Sequence, residues 1–413
     1  MKINGNRLVQ ELGSLGKIGF SPGKGVTRLA FTPADTEARA YVSRRMAEAG
    51  MEVRTDPLGN IIGVYNPALA SGPAIAIGSH IDTVPEGGQY DGALGVLAGI
   101  EVVRTLRDAE FQPRHPLWVV SFADEEGARF GTGLMGSRAI IGELDVEELK
   151  AATDLDGITA YQAMQEVKLN PNEIGQVRWR EGDLRAYLEL HIEQGGMLES
   201  HQESIGVVEG IVGICRFDVT YVGRPNHAGT TPMGLRRDAL VAAAQAVLAV
   251  REAATDAGDE NTVATVGFLQ VVPGAVNVVP GLVRFSVEIR DIQQETIERV
   301  AHETVARLTA IARQSRVEVS FSTRRLVPPV VLNQTLTDYL EEATQRVGLK
   351  YRRMVSGAGH DAMSVSAVAP AAMLFVPSQR GISHSPEEYT APDDCAAGAQ
   401  VLLETVVSLD SQE

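Results

Sequence analysis

Cysteine is almost absent: Cys215 and Cys395 are the two thiols in 413 residues, too few for a disulfide framework in a chain this long. Neither has a second cysteine or a histidine at metal-finger spacing, so both read as buried thiols. Aromatic residues are scarce as well, 5% against 44% apolar residues, which leaves Ala, Val, Leu and Ile to fill the core. Basic charge is short: 37 Lys and Arg face 53 Asp and Glu, a formal net charge of -16. Such a chain repels a phosphate backbone, and it has no basic stripe to offset that, so no nucleic-acid partner is expected. No apolar run reaches eighteen residues, so no membrane span is expected either. The opening residues, MKINGNRLVQELGSLGKIG, lack the apolar stretch of a secretory signal. They carry Leu8, Leu12 and Leu15 at helical spacing instead. A cytoplasmic protein is the expectation.

The length exceeds what one core usually supports, which predicts two domains. In the first half, short apolar runs bounded by Gly and Pro, such as Ala74-Ile75-Ala76-Ile77-Gly78 and Leu117 to Phe122, alternate with helical spacing over Glu37 to Ala49 and Val96 to Leu106. Buried strands separated by helices predict an α/β layer around a central mixed sheet. The middle of the chain changes character. A strand over Arg216 to Val222, a helix over Asp238 to Ala254, strands over Thr262 to Val271 and Leu282 to Ile289, a helix over Gln294 to Gln314 and a strand over Val317 to Thr323 give the order βαββαβ. That order is a complete ferredoxin-like unit. The expected fold is therefore α/β, with a discontinuous catalytic domain (1–212 and 328–413) interrupted by an inserted ferredoxin-like domain (213–327). The Val212-Gly213 and Pro328-Pro329 joins are candidate hinges.

Metal sites need neutral imidazoles and carboxylates at the ends of rigid elements facing one cavity. His80 directly follows a buried strand, and Asp82, two positions on, is placed to fix its tautomer. Asp91 lies in Gln89-Tyr90-Asp91-Gly92-Ala93-Leu94-Gly95, just before a helix. Glu125 and Glu126 end the next buried strand, where two adjacent carboxylates are costly without cations. His191 ends an alternating strand, Leu188-Glu189-Leu190-His191-Ile192, and His384 lies in a loop after the apolar strand Ala371 to Val376. Each piece alone has an ordinary reading: His-x-Asp as a polar loop pair, Glu-Glu as a solvated charge pair. Together, three histidines, Asp91 and one of the two glutamates suit a borderline cation such as Zn²⁺, Mn²⁺, Ni²⁺ or Co²⁺. The other glutamate is then free to act as a base.

The segments Gly-Ser-His80-Ile-Asp82-Thr, Ala-Asp-Glu125-Glu126-Gly, Leu-His191-Ile-Glu-Gln194-Gly, Pro225-Asn226-His227-Ala228-Gly229 and Ser356-Gly-Ala-Gly359-His360-Asp361-Ala resemble the hydantoinase/carbamoylase branch of the aminoacylase-like metallohydrolases. That branch includes N-carbamoyl-L-amino-acid hydrolases, allantoate amidohydrolases and β-ureidopropionases. The resemblance implies two divalent ions held by His80, Glu126, His191 and His384, with Asp91 bridging them. It implies Glu125 as the base that takes a proton from water, and Gln194, Asn277, Arg290 and Gly359 as substrate contacts. Arg290 suits a carboxylate, which its planar fork grips with two hydrogen bonds. His227 is implied to reach the active site of a partner subunit in a homodimer and to stabilise the developing oxyanion. The inserted domain then serves dimerisation and closure.

The peptidase relatives carry Asp-Asp where this chain has Asp91-Gly92, which counts against a general dipeptidase. The expected activity is hydrolysis of the ureido bond of N-carbamoyl-L-amino acids, giving amino acid, carbon dioxide and ammonia. Allantoate or a β-ureido acid is the alternative small carboxylate-bearing substrate. A non-catalytic metal-binding scaffold is the reading from another class, and a mononuclear hydrolase a third. No role follows from sequence for His360 and Asp361, and His115, His201 and His302 read as structural or solvated.

Overall fold

The structure, a computed structural model, describes residues 1–66 and 72–411. It divides into two compact units, Met1–Glu209 with Leu332–Glu413, and Gly210–Val331.

The first unit is built on a mixed sheet whose middle is four parallel strands, in the order Ala371–Val376, Leu184–Ile192, Ala74–His80, Leu117–Phe122. Antiparallel strands extend it on both sides, Ile205–Ile211 next to Ala371–Val376, and Ile61–Tyr65 then Glu52–Thr55 beyond Leu117–Phe122. Parallel strands are covered on both faces, so their sequences read as nearly continuous apolar runs. Every residue of Ala74–His80 is accordingly buried. The helix Ala93–Asp108 packs on this sheet and is buried through three turns. It tolerates charge only where charge is paired. Glu101 accepts from Arg7 at 2.7 and 2.9 Å, and Arg104 donates to Glu11 at 2.7 Å. Helices Gly5–Leu15, Gln334–Val347 and Pro392–Asp410 share the same apolar core.

Because four neighbouring strands run parallel, their carboxyl ends lie along one edge. In open α/β sheets that edge is where ligands bind. Here it carries His80, the turn holding Glu125 and Glu126, His191, and the loop that leads to His384.

In the second unit strands precede the first helix, several strands lie between the two helices, and strands follow the second. Gly213–Val222 and Leu282–Asp291 pair along their whole lengths in the centre, with Val263–Thr265 and Leu269–Val272 on one side and Glu318–Phe321 on the other. Helices Ala239–Ala257 and Gln294–Ser315 cover one face around an Ala- and Val-rich core. Asp238 caps the first helix by accepting from the Leu240 and Val241 amides.

Two local readings differ from the sequence pattern. The stretch from Thr262 to Val271 is not one strand but two, separated at Val266-Gly267-Phe268. The alternation Leu188-Glu189-Leu190 suggests one wet face, yet the strand is central and both faces are buried. Glu189 is fully enclosed and accepts from Ser79 (2.9 Å), Tyr187 (3.2 Å) and the Ala362 amide (2.8 Å).

Candidate metal centre

His80 and His191 end adjacent parallel strands, so their rings emerge side by side. His80 donates from Nδ1 to the Asp82 carbonyl oxygen at 3.1 Å. His191 donates from Nδ1 to the Ile192 carbonyl oxygen at 2.9 Å. With each ring proton engaged at Nδ1, both Nε2 atoms are left as lone-pair donors. They face the same atom: Asp91 Oδ1 lies 3.4 Å from His80 Nε2 and 3.1 Å from His191 Nε2.

The other oxygen of Asp91 faces a second group. His384 Nε2 lies 3.4 Å from Asp91 Oδ2 and 3.4 Å from Glu126 Oε2. Among the described residues two clusters therefore offer converging ligand atoms, His80 with Asp91 and His191, and Asp91 with Glu126 and His384. Asp91 is common to both, one oxygen each. Glu125 is not in either cluster; its Oε2 stands 3.6 Å from His80 Nε2.

Asp82 does a different job from the one its spacing suggests. Its carboxylate sits 3.6 Å from His80 Nδ1, farther than its own carbonyl, and accepts the backbone amides of Glu125 (3.2 Å) and Glu126 (3.1 Å). One residue thus orients the histidine through its main chain and the Glu-Glu turn through its side chain.

Gly92 explains the Asp-Gly pair. Its φ is +62°, a left-handed conformation that side chains rarely adopt, and a Cβ there would strike the His80 ring at Nε2. An aspartate at this position is excluded by the approach of the first histidine.

The electrostatics call for cations. Burial pushes Glu125 well above the usual carboxylate range, Glu126 and Asp361 add to the rise, and His80 opposes it. Burial and Asp91 push Glu126 up to about 7. The hydrogen bond to Asp91 raises His384 to about 9 against the effect of burial. Burial disfavours charge on His80, but Glu125, Asp82 and Asp91 outweigh it and hold a proton there far above the ordinary range. Glu126 Oε1 is buried with no hydrogen-bond partner, a costly state for a carboxylate oxygen. Lone pairs, carboxylates and an orphaned oxygen that converge on two points fit divalent cations, which would take the place of the retained protons.

His360 packs edge-on against the His191 ring at 4.5 Å and engages Ser356 Oγ through Nε2 at 2.8 Å. Burial and His191 depress its pKa well below the ordinary value. It packs against the His191 ring as a neutral wall. Asp361 is fully buried beside Glu189, and burial with that neighbour raises it strongly. Gln194 donates from Nε2 to Asp91 Oδ2 at 2.7 Å. Gly359 lies in the loop before His360, half-exposed, with open space around its Cα.

The remaining implied site residues belong to the second unit. His227 is exposed on a two-residue strand paired with Val278–Val279. Its Nδ1 accepts the amides of Gly229 (3.0 Å) and Thr230 (3.2 Å), so its proton sits on Nε2 and points outward as a donor. Asn277 lies beside it, its carbonyl accepting the Ala228 amide at 2.9 Å. Arg290 is elsewhere. It sits at the far end of Leu282–Asp291, opposite Ile214, about 27 Å along the strand from Leu282 at the usual rise per residue. It forms an ion pair with Glu288 at 2.8 Å, and the adjacent Asp291 accepts from Thr262 and Gln293. The structure does not bring Asn277 and Arg290 of one chain together.

Two supports carried no signal of their own in the sequence. Glu388 is buried between the Asp91 and His384 loops. Arg28 is the largest fully buried side chain and donates to the Ile81 carbonyl at 2.8 Å and those of Leu15 and Ile18 at 3.2 and 3.1 Å.

Comparison with known proteins places these features in a group. Residues 76–408 match the profile of "Peptidase family M20/M25/M40". The chain is 41% identical over 411 residues to the N-carbamoyl-L-amino acid amidohydrolase of Geobacillus stearothermophilus, covering 100% of both chains. It is 35% identical over 404 residues to the allantoate amidohydrolase of Bacillus subtilis, covering 98% of this chain and 97% of that one. An amidase of the hydantoinase/carbamoylase family from Burkholderia multivorans has the same fold, with a TM-score of 0.94 and 36% identity over 100% of this chain and 99% of that one.

Proposed function

The chain belongs to the M20/M25/M40 family, and from that premise we propose that it hydrolyses the ureido bond of N-carbamoyl-L-amino acids, releasing the amino acid, carbon dioxide and ammonia. The observation that carries the reading is Asp91, whose two oxygens face two separate ligand groups while Glu125 stands free beside His80. The likeness to an N-carbamoyl-L-amino acid amidohydrolase over the whole chain names the substrate class.

In this reading His80, Asp91 and His191 would hold one divalent ion, and Asp91, Glu126 and His384 a second, each Zn²⁺, Mn²⁺, Ni²⁺ or Co²⁺. Bound ions would polarise the ureido carbonyl and make water acidic enough to attack near neutral pH. Glu125 accepts the proton of the attacking water and returns it to the leaving nitrogen. Gln194 and Gly359 line the substrate, and Arg290 grips its carboxylate.

The second unit, 213–327 in this reading, acts as a ferredoxin-like dimerisation and lid domain set into a catalytic domain of 1–212 and 328–413. The βαββαβ order of its sequence supports that, as do Leu240, Val241, Leu248 and Val263, apolar and exposed on one helix and one edge strand. The partner subunit's His227, with its outward Nε2 proton, meets the developing oxyanion. The separation of Asn277 from Arg290 within a chain favours the same arrangement, His227 and Asn277 serving one active site and Arg290 the other. Among the described residues no helix is long and apolar enough to cross a membrane, and the protein works in the cytoplasm on small molecules.

Allantoate is the second substrate to consider, since an allantoate amidohydrolase is 35% identical over nearly the whole chain. The test is a panel of N-carbamoyl-L-amino acids, allantoate, β-ureidopropionate and N-acyl amino acids, assayed with enzyme reconstituted in each metal. Turnover of N-carbamoyl-L-amino acids with the highest kcat/KM is expected. Preference for allantoate moves the protein to the alternative, and turnover of none rejects both.

A further inference from the structure

We propose that Glu388 is a positioning residue that sets the bridging orientation of Asp91, and so couples the two ligand groups. This rests on the reading of Asp91 as a ligand shared by two ions. Glu388 is buried, 6% exposed, in the segment just past His384. Its Oε1 accepts the backbone amides of Tyr90 (2.9 Å) and Asp91 (3.1 Å), nearly three hundred residues away along the chain. Its Oε2 accepts from Ser383 Oγ at 2.8 Å, and the same hydroxyl lies 2.9 Å from Asp91 Oδ2. One carboxylate therefore holds the loop that carries Asp91 and the loop that carries His384, and it shares the single Ser383 hydroxyl proton with the Asp91 oxygen facing His384.

The seat for this side chain is built in advance. Gly88 has an ordinary backbone conformation, yet a Cβ there would collide with the Glu388 carboxyl group. The glycine is needed for the glutamate's space and not for its own φ. Without Glu388, Asp91 keeps its contacts with the two buried histidines and the Gln194 amide on its second oxygen, but loses the anchor on its backbone amide and the acceptor that fixes Ser383 beside that oxygen. The ion shared by Asp91, Glu126 and His384, where the histidine is half-exposed, is then the one to weaken.

Cobalt uptake tests this without relying on turnover. Wild-type, Glu388→Ala, Glu388→Gln and Gly88→Ala proteins are stripped with chelator, checked for folding by circular dichroism, and titrated with Co²⁺ by equilibrium dialysis and visible absorption. Wild type should bind two ions. Glu388→Ala and Gly88→Ala should keep one at near wild-type affinity and lose about 10- to 100-fold at the other, the usual cost of an outer-shell change. Glu388→Gln should stay close to wild type, because its amide accepts from the two backbone donors and donates to Ser383. Two unchanged sites in Gly88→Ala, or in a folded Glu388→Ala, overturn the proposal. If Glu388→Ala does not fold, Gly88→Ala decides alone. Wild-type protein that binds no cobalt overturns the metal reading itself, a different failure.

Discussion

At the scale of single residues, the site is a set of groups that cannot all carry their natural charges unless cations are present. Glu126 is pushed up to about 7 by burial and Asp91, and His384 up to about 9 by Asp91. Both must be deprotonated to act as ligands, so metal binding at neutral pH displaces protons. Below pH 7 more of the metal-free protein holds a proton on Glu126, and affinity falls. Calorimetric titration with Co²⁺ in buffers of different ionisation enthalpy should show net proton release at pH 7, and weaker binding at pH 6 than at pH 8. A pH-independent affinity would contradict the electrostatic account. Glu125, outside both clusters, should separate from its neighbours by mutation. Glu125→Gln is expected to lower kcat at least 1000-fold, on the order of a positioned acid–base group, while metal content stays at the wild-type level. Loss of metal in that variant would make it a ligand. Gly92→Ala is the opposite case, since a methyl group at φ +62° strikes His80 Nε2. It should lose metal from the His80 group whatever its effect on the chemistry.

At the scale of elements, the four parallel strands decide which residues meet, and this is also where the sequence was most legible. Leu117–Phe122 and Ala371–Val376 carry the bounds their apolar runs suggest, and the strand Ala74–His80 runs two residues past its apolar run, so that His80 is its last residue and does not follow it. Short apolar runs between breaks identify buried strands by their length and their flanking Gly and Pro, since a buried helix runs to about ten residues or more. The supports were not legible. Glu388 sits in Ser-Pro-Glu-Glu, a charged loop by composition, and only folding brings it to Tyr90 and Asp91. Arg28 has no local pattern at all, and its guanidinium donates to three carbonyls in two separated segments. Arg28→Met should cost roughly 3–5 kcal/mol in chemical denaturation, because those buried acceptors lose their donors. Helix Pro33–Glu48 offers a pH test. Asp35 accepts the Phe31 amide at 2.9 Å, and burial raises it from 3.8 to about 6. The folded state thus holds that proton more tightly than the unfolded chain. The associated stability is full below pH 3.8 and is lost as pH rises through 6, roughly 3 kcal/mol for two pKa units. Asp35→Asn keeps the acceptor and removes the titration. It should be more stable than wild type at pH 8, with the gain shrinking towards pH 4.

At the scale of the whole molecule, the substrate contacts proposed for the second unit do not meet within one chain. His227 and Asn277 stand at one end of the central strand pair of the second unit and Arg290 at the other, so a small substrate gripped by Arg290 is out of reach of His227 from the same strand pair. Two chains with complementary defects can decide whether a partner supplies the missing end. Glu125→Gln lacks its own base but can lend His227, and His227→Ala retains its base but cannot lend the donor. Each is expected to be nearly inactive alone. In a mixed dimer the active site on the His227→Ala chain receives His227 from the Glu125→Gln partner and is whole, while the other site lacks both. Equal mixing with free subunit exchange makes half of the dimers mixed, each with one working site of two, so about one quarter of wild-type activity should return. If His227 serves its own chain, neither site in the mixed dimer is whole and no activity returns. The recovered fraction therefore measures where the histidine acts, and it does so with no change to any metal ligand.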